Sequence, residues 1–294
     1  MNGQIWEKAV NCFAWLCGIV LFGAVSTLLG YLVIKGWPAL NLELIFGTTP
    51  PLDAILLKQR VFDGLFPAIT GTLALVVCSV AIAAPMGVAA GIYMAEYAKP
   101  PVKTWFSLFF DVLAGIPSIV VGLFGFSVTI FLHQHFSGDL YPCLIVSAVS
   151  LAFLVLPYMI RTTQTSLESQ PFILRHTGLS LGATKLQNIF YILLPESFSA
   201  ILTGLILSIG RCAEDTAVIM LTGVVAQAGV PTSLFSSYEA LPFYIYYISS
   251  QYMDANELSR GFGAAVVLLF TCTTLYLLAW VIHHIIKLKQ KKRP

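Results

Sequence analysis

The stretch SAILTGLILSIGRCAEDTAVIMLTGVV, residues 199–225, decides how the rest of the chain is read. A membrane-spanning helix takes roughly 20 predominantly apolar residues, and this run is long enough. Yet Arg211, Glu214 and Asp215 stand inside it. Each charge at mid-bilayer costs about 2.5–3.5 kcal/mol on insertion scales. On a continuous helix Glu214 follows Arg211 by three residues and Asp215 by four, so 100° per residue puts all three on one face. Two readings of that face stay open. One is a self-neutralising group that fixes helix rotation. The other is a polar patch lining a pathway, the usual setting of intramembrane ionisable groups.

The composition agrees with a membrane protein. The 294 residues are 57% hydrophobic and 10% charged, with mean hydropathy +0.84, whereas soluble domains carry about 25% charged residues. The short alternating segments of a membrane barrel are missing, which leaves helices as the spanning element. The basic end KLKQKKRP, residues 287–294, has no accompanying basic face, so a nucleic-acid role is not expected. The six cysteines form no CxxC pair and fall mostly in apolar runs, where cysteine behaves as a small hydrophobe. Neither a disulfide framework nor a metal or other cofactor is expected.

Six spans can be drawn, at 9–34, 66–93, 106–132, 142–160, 198–225 and 261–286. The fold class is therefore all-α: one polytopic domain over 1–294. Residues 1–60 supply the first span and an outer loop, and 61–290 supply the core. With the N-terminus inside, Lys8, Lys99, Lys103, Arg161, Arg175, Lys185, Lys287, Lys289, Lys291, Lys292 and Arg293 fall on the inner side. Lys35, Lys58, Arg60 and Arg260 fall outside. Cytoplasmic loops carry the excess of Lys and Arg, so both termini are expected in the cytoplasm. Gly87 and Gly91 share a helix face and permit close approach of a neighbour. In AGIPSIVVGLFGF, residues 114–126, the glycines and Pro117 suit either ordinary packing or a pore-lining bend.

The charges suggest an anionic substrate. Guanidinium is a planar fork that matches oxyanions. Carboxylates beside it make sense if the anion carries a proton, which hydrogen phosphate does at neutral pH and sulfate does not. Asp111 in the third drawn span is a further pathway candidate, unless it lies near the inner interface.

The inner segment 161–195 has its own pattern. In PFILRHTGLSLGATKLQNIFYILLP, Pro171 suits the first position of a short helix, and Gly178 or Gly182 suits its end. Phe172, Ile173, Leu174, Leu179 and Leu181 give that helix an apolar surface for the bilayer or for a partner's groove. A phosphate-binding Gly-Lys-Ser/Thr run occurs nowhere, so nucleotide-driven transport would need another subunit for hydrolysis.

Gly182, nine residues, then Ile192, Leu194 and Pro195 resemble the second half of the cytoplasmic signature of bacterial ABC importer permeases. His176, Thr177 and Gly178 occupy the positions of its Glu-Ala-Ala. DVLAGIPSIVVGLFGF, LGATKLQNIFYILLP and LTGLILSIGRCAEDTAVIMLTG resemble the phosphate-specific permeases of the Pst importer, over roughly residues 60–290. ALPFYIYYISSQY is closer to the PstA type than to PstC. The resemblance implies a type I permease fold in the bacterial inner membrane. It implies phosphate passage at Arg211 and Glu214, with Asp215 where the family more often has threonine. It implies contact with an ATPase through Phe172, His176, Gly178, Gly182 and Pro195. The implied partners are a PstC-like permease, PstB-like ATPase subunits, an external phosphate-binding protein and the lipid bilayer; ATP hydrolysis would belong to the ATPase. Permeases for sulfate or molybdate, and a stand-alone proton-coupled carrier, are the alternatives. His283 and His284 are adjacent and point about 100° apart, which suits an interface better than a haem or quinone site.

Overall fold

A computed structural model describes residues 2–59, 61, 63–135 and 141–291; Arg60, Lys292 and Arg293, which contribute to the charge bias, lie outside them. The described helices are α1 (Asn2–Gly36), α2 (Leu42–Phe46), α3 (Pro51–Ile55), α4 (Phe66–Glu96), α5 (Pro100–Ala114), α6 (Ser118–His135), α7 (Leu144–Glu168), α8 (Phe172–Ser180), α9 (Lys185–Asn188), α10 (Leu194–Glu214), α11 (Ala217–Thr222), α12 (Leu241–Gln251) and α13 (Ala255–Lys291). A π-helical turn, Ile189–Leu193, joins α9 to α10. Among the described residues the sole extended pairing is an isolated bridge between Val224 and Tyr238.

Six helical segments are long and apolar enough to cross a membrane: Trp6–Ala39, Phe66–Glu96, Ser118–His135, Leu144–Glu168, Lys185–Glu214 and Ala255–Ile285. The number matches the sequence reading, but two drawn spans are corrected. The third, 106–132, is two helices. Backbone helicity stops at Gly115 and restarts at Ser118, because Pro117 cannot donate to the ladder. Only α6 is then a span. Asp111 falls on α5, outside the six apolar segments. The fifth, 198–225, also breaks. Helix α10 ends at Glu214, Asp215 is extended (φ −75°, ψ 112°), and α11 is a separate short helix.

Helix α7 is the centre of the bundle. Leu151, Val155, Met159, Ile160 and Leu167 are all but fully buried. The glycines of α4 explain how its closest neighbour approaches: a Cβ on Gly87 would collide with Met159, and one on Gly91 with Thr163. Small residues at this spacing let backbones meet, and dispersion then holds helices together where water cannot drive them. Gly122 and Gly125 do the same for α6, against Val218 of α11 and Ser150 of α7. Helix α1 stays at the periphery. It leans on α13 through Tyr31 and Phe262, with ring centroids 5.9 Å apart. Trp6, Phe13, Trp15 and Phe22 remain exposed, as expected of a helix that is apolar all round and solvated by lipid.

Candidate substrate pathway and coupling segment

The helix break brings the predicted charges into a new arrangement. A continuous helix would have aligned all three. Instead the chain turns at Asp215, whose side chain is 3% exposed, while that of Arg211 is 47% exposed. Asp215 Oδ1 accepts the Val218 N–H at 2.9 Å. Its Oδ2 lies 3.8 Å from Arg211 Nη2. That is an ion-pair distance but too long for a hydrogen bond. Glu214 is exposed and makes no ion pair with Arg211 among the described residues; it lies within electrostatic reach of Cys272 and Tyr276 on α13. Gly210, one residue before Arg211, is where α10 meets α13: any Cβ there would collide with the Tyr276 hydroxyl.

The Gly210–Tyr276 approach sets the group against the middle of α13. Along α13, Cys272 is 12 residues from Arg260 and 11 from His283, about 18 and 16 Å at 1.5 Å per residue. A hydrocarbon core is about 30 Å thick. Gly210 and the residues that follow it therefore stand level with the middle of α13, at the far end of the segment Lys185–Glu214, and Arg211 and Glu214 remain exposed there.

Asp111 is not brought to that group by any described contact. Arg161 Nη2 donates to Asp111 Oδ1 at 2.5 Å and to the Ser107 carbonyl at 2.9 Å, while Nη1 donates to Ser107 Oγ at 2.6 Å. The pair joins α5 to α7. Arg161, placed in an inner loop by the sequence reading, lies on α7, which runs on to Glu168. The segment between spans is correspondingly shorter than 161–195.

That segment folds as a compact unit. Pro171 is the residue before α8 rather than its first residue, and Gly182 (φ +85°) ends the turn after it. Gly178 is inside α8, where a Cβ would collide with Asn188 Oδ1. Glycine there lets α8 press on α9 and the π-helical turn. Asn188 Nδ2 donates to the Arg175 carbonyl at 2.8 Å. Thr184 and Gln187 form a reciprocal capping box at the start of α9. Glu96, at the end of α4, holds the unit to the bundle. Its carboxylate pairs with Arg175 and its carbonyl accepts from Lys185, which also sits 4.5 Å from the centroid of the Tyr97 ring. Lys103 and Glu168, 2.6 Å apart, tie α5 to the end of α7, just before the unit begins. Phe172, Ile173 and Leu181 are left 74%, 79% and 83% exposed, and His176 packs on Phe172 with ring centroids 4.1 Å apart. Pro195 lies in the first turn of α10. The role of Glu96 was invisible to sequence reasoning, since its partners are about 80 residues away.

At the opposite end, a cavity of about 560 Å³ is lined by Asp63, Glu239, Glu257, Arg260, Tyr244 and Tyr247, among others. Three acids against one base make it a poor store for an anion. Glu239 is buried and accepts the Gly229 N–H at 2.8 Å. Burial pushes its carboxyl above the usual carboxylate range, partly offset by the Gly229 amide. A carboxyl raised by folding destabilises the fold as pH climbs past its unfolded value. Glu239→Gln keeps an acceptor for Gly229 and removes the ionisation. The thermal midpoint of the variant should therefore gain on the parent more at pH 8 than at pH 5. An equal difference at both pH values would refute this.

The family model for "Binding-protein-dependent transport system inner membrane component" matches residues 87–291. The chain belongs to this family. Within it, the chain is 33% identical over 265 residues to the phosphate transport system permease protein PstA of Pasteurella multocida (strain Pm70), covering 87% of this chain and 84% of that one. It is 31% identical over 278 residues to PstA of Haemophilus influenzae, covering 94% and 90%. The fold is also that of an inward-facing methionine ABC transporter, with TM-score 0.58 at 16% identity over 81% of this chain and 99% of the other. The α8–α9 segment and the broken helix with Arg211 both lie inside the matched region.

Proposed function

We propose that this chain is one permease half of an ATP-driven importer of inorganic phosphate. One observation carries the reading. A guanidinium and a carboxylate stand exposed level with the middle of α13, on the surface of a permease whose relatives are phosphate permeases. Against lipid those groups are unfavourable, so their face meets water and a second, PstC-like permease subunit. Arg211 offers planar donors to a phosphate oxyanion. Glu214 accepts a hydrogen bond from the P–O–H group of hydrogen phosphate, a contact that sulfate cannot make. Asp111 serves the α5–α7 junction instead. The exposed apolar side chains of α8 dock in a PstB-like ATPase, which hydrolyses the ATP, and His176 and Phe172 form part of that contact. An external binding protein delivers phosphate to the opposite end. The chain is a single permease unit in a bacterial inner membrane. The basic residues favour cytoplasmic termini, and a reporter fused after Pro294 should be active only in the cytoplasm.

The reconstituted complex should hydrolyse ATP faster when phosphate-loaded binding protein is added. Sulfate in place of phosphate should give no stimulation. Equal stimulation by both anions would overturn the assignment of substrate.

A further inference from the structure

We propose that Asp215 is a positioning residue that uses its two oxygens for different tasks: one caps α11, and the other holds Arg211 toward the pathway without occupying its donors. The inference rests on the reading of Arg211 as the phosphate contact.

The break at 215–216 exposes a problem that a continuous helix would not have. The first N–H groups of α11 have no partners within the helix. Buried as Val218 is, an unsatisfied backbone amide there costs several kcal/mol. Asp215 answers this for Val218, with its Oδ1 2.9 Å from the amide nitrogen. The side chain is nearly closed off, at 3% exposure, so it does not meet substrate directly.

The second oxygen is the informative one. At 3.8 Å it attracts Arg211 but makes no hydrogen bond, and Arg211 remains about half exposed. A carboxylate in bidentate contact would have used the same fork that an oxyanion needs. At the observed distance the charge steadies the guanidinium and leaves its N–H groups available. It also competes weakly with the arriving anion, which favours release. Glu214, exposed and without an ion pair to Arg211 among the described residues, does not do this.

The two tasks separate by substitution. Asp215→Asn keeps an oxygen for the Val218 amide and loses the charge. Asp215→Ala loses both. The complete complex of permeases and ATPases, without the external binding protein, can be titrated with radiolabelled inorganic phosphate. Asp215→Asn should assemble normally and bind phosphate about two- to fivefold more tightly, the range expected for one half-exposed ion pair. Maximal uptake should fall by a similar factor because release is slower. Asp215→Ala should assemble poorly. Tighter binding is an effect that damage to the fold would not give. If Asp215→Asn binds phosphate no more tightly than the parent, or assembles as poorly as Asp215→Ala, the tether is refuted. Arg211→Gln separates the two levels. If it binds phosphate as well as the parent, or if the parent binds none, the reading of Arg211 itself fails. If Arg211→Gln loses binding and Asp215→Asn changes nothing, only the positioning role fails.

Discussion

Arg211→Gln is expected to abolish phosphate uptake while the complex still assembles. The substitution keeps a polar side chain at a half-exposed position, so packing is little disturbed. It removes the charge and the planar fork. Charge-assisted hydrogen bonds contribute about 1.5–3 kcal/mol each, so losing two of them corresponds to roughly 100-fold or more in rate. Arg211→Lys should rescue only in part, since a point charge cannot make the parallel two-bond contact. Glu214→Gln should also impair transport with assembly intact. The structure decides which double substitution tests the competing view, in which the charges merely neutralise one another. Arg211 pairs with Asp215 and not with Glu214. Arg211→Gln combined with Asp215→Asn should therefore be as inactive as Arg211→Gln alone. Recovered uptake in that double variant would mean that an unpaired buried carboxylate, and not a lost substrate contact, was the defect.

The spans themselves were legible because lipid demands a long apolar run, and few other constraints produce one. Their interruptions were not. Pro85 and Pro157 sit inside α4 and α7 without ending them, whereas Pro117 follows a true break. Neighbouring helices can satisfy the groups that a membrane proline frees, so the residue alone does not say which outcome follows. The break at Asp215 was hidden by apolar residues on both sides. Its signal was present: aspartate is among the preferred residues before a helix start, and Val218 lies three residues on. Helical periodicity outweighed it. The tie between Glu96 and Arg175 joins elements far apart in sequence, and no local pattern encodes it. The turn after α8, by contrast, was legible at Gly182, because a left-handed residue after a short apolar helix is a local requirement.

Gly182→Asp is expected to lower phosphate uptake roughly 100-fold while the protein still inserts in the membrane. Gly182 has φ +85°, and no atom beyond its own residue and its two chain neighbours stands within 4 Å of where its Cβ would be. Its need for glycine is thus conformational and not steric. An L residue in the left-handed region costs about 1–2 kcal/mol, which alone would weaken the turn without removing it. The larger effect is charge. The added carboxylate would stand beside Leu181, in the exposed apolar surface that also includes Phe172 and Ile173. Burying it unpaired against the ATPase would cost about 2–5 kcal/mol. Gly182→Asn separates the two contributions: asparagine tolerates the left-handed region better than most residues and carries no charge. It should keep most of the uptake. ATP hydrolysis by the Asp variant should become insensitive to phosphate-loaded binding protein, as the ATPase no longer feels the permease. Full stimulation in Gly182→Asp, with normal membrane levels, would place the ATPase contact on another part of the chain.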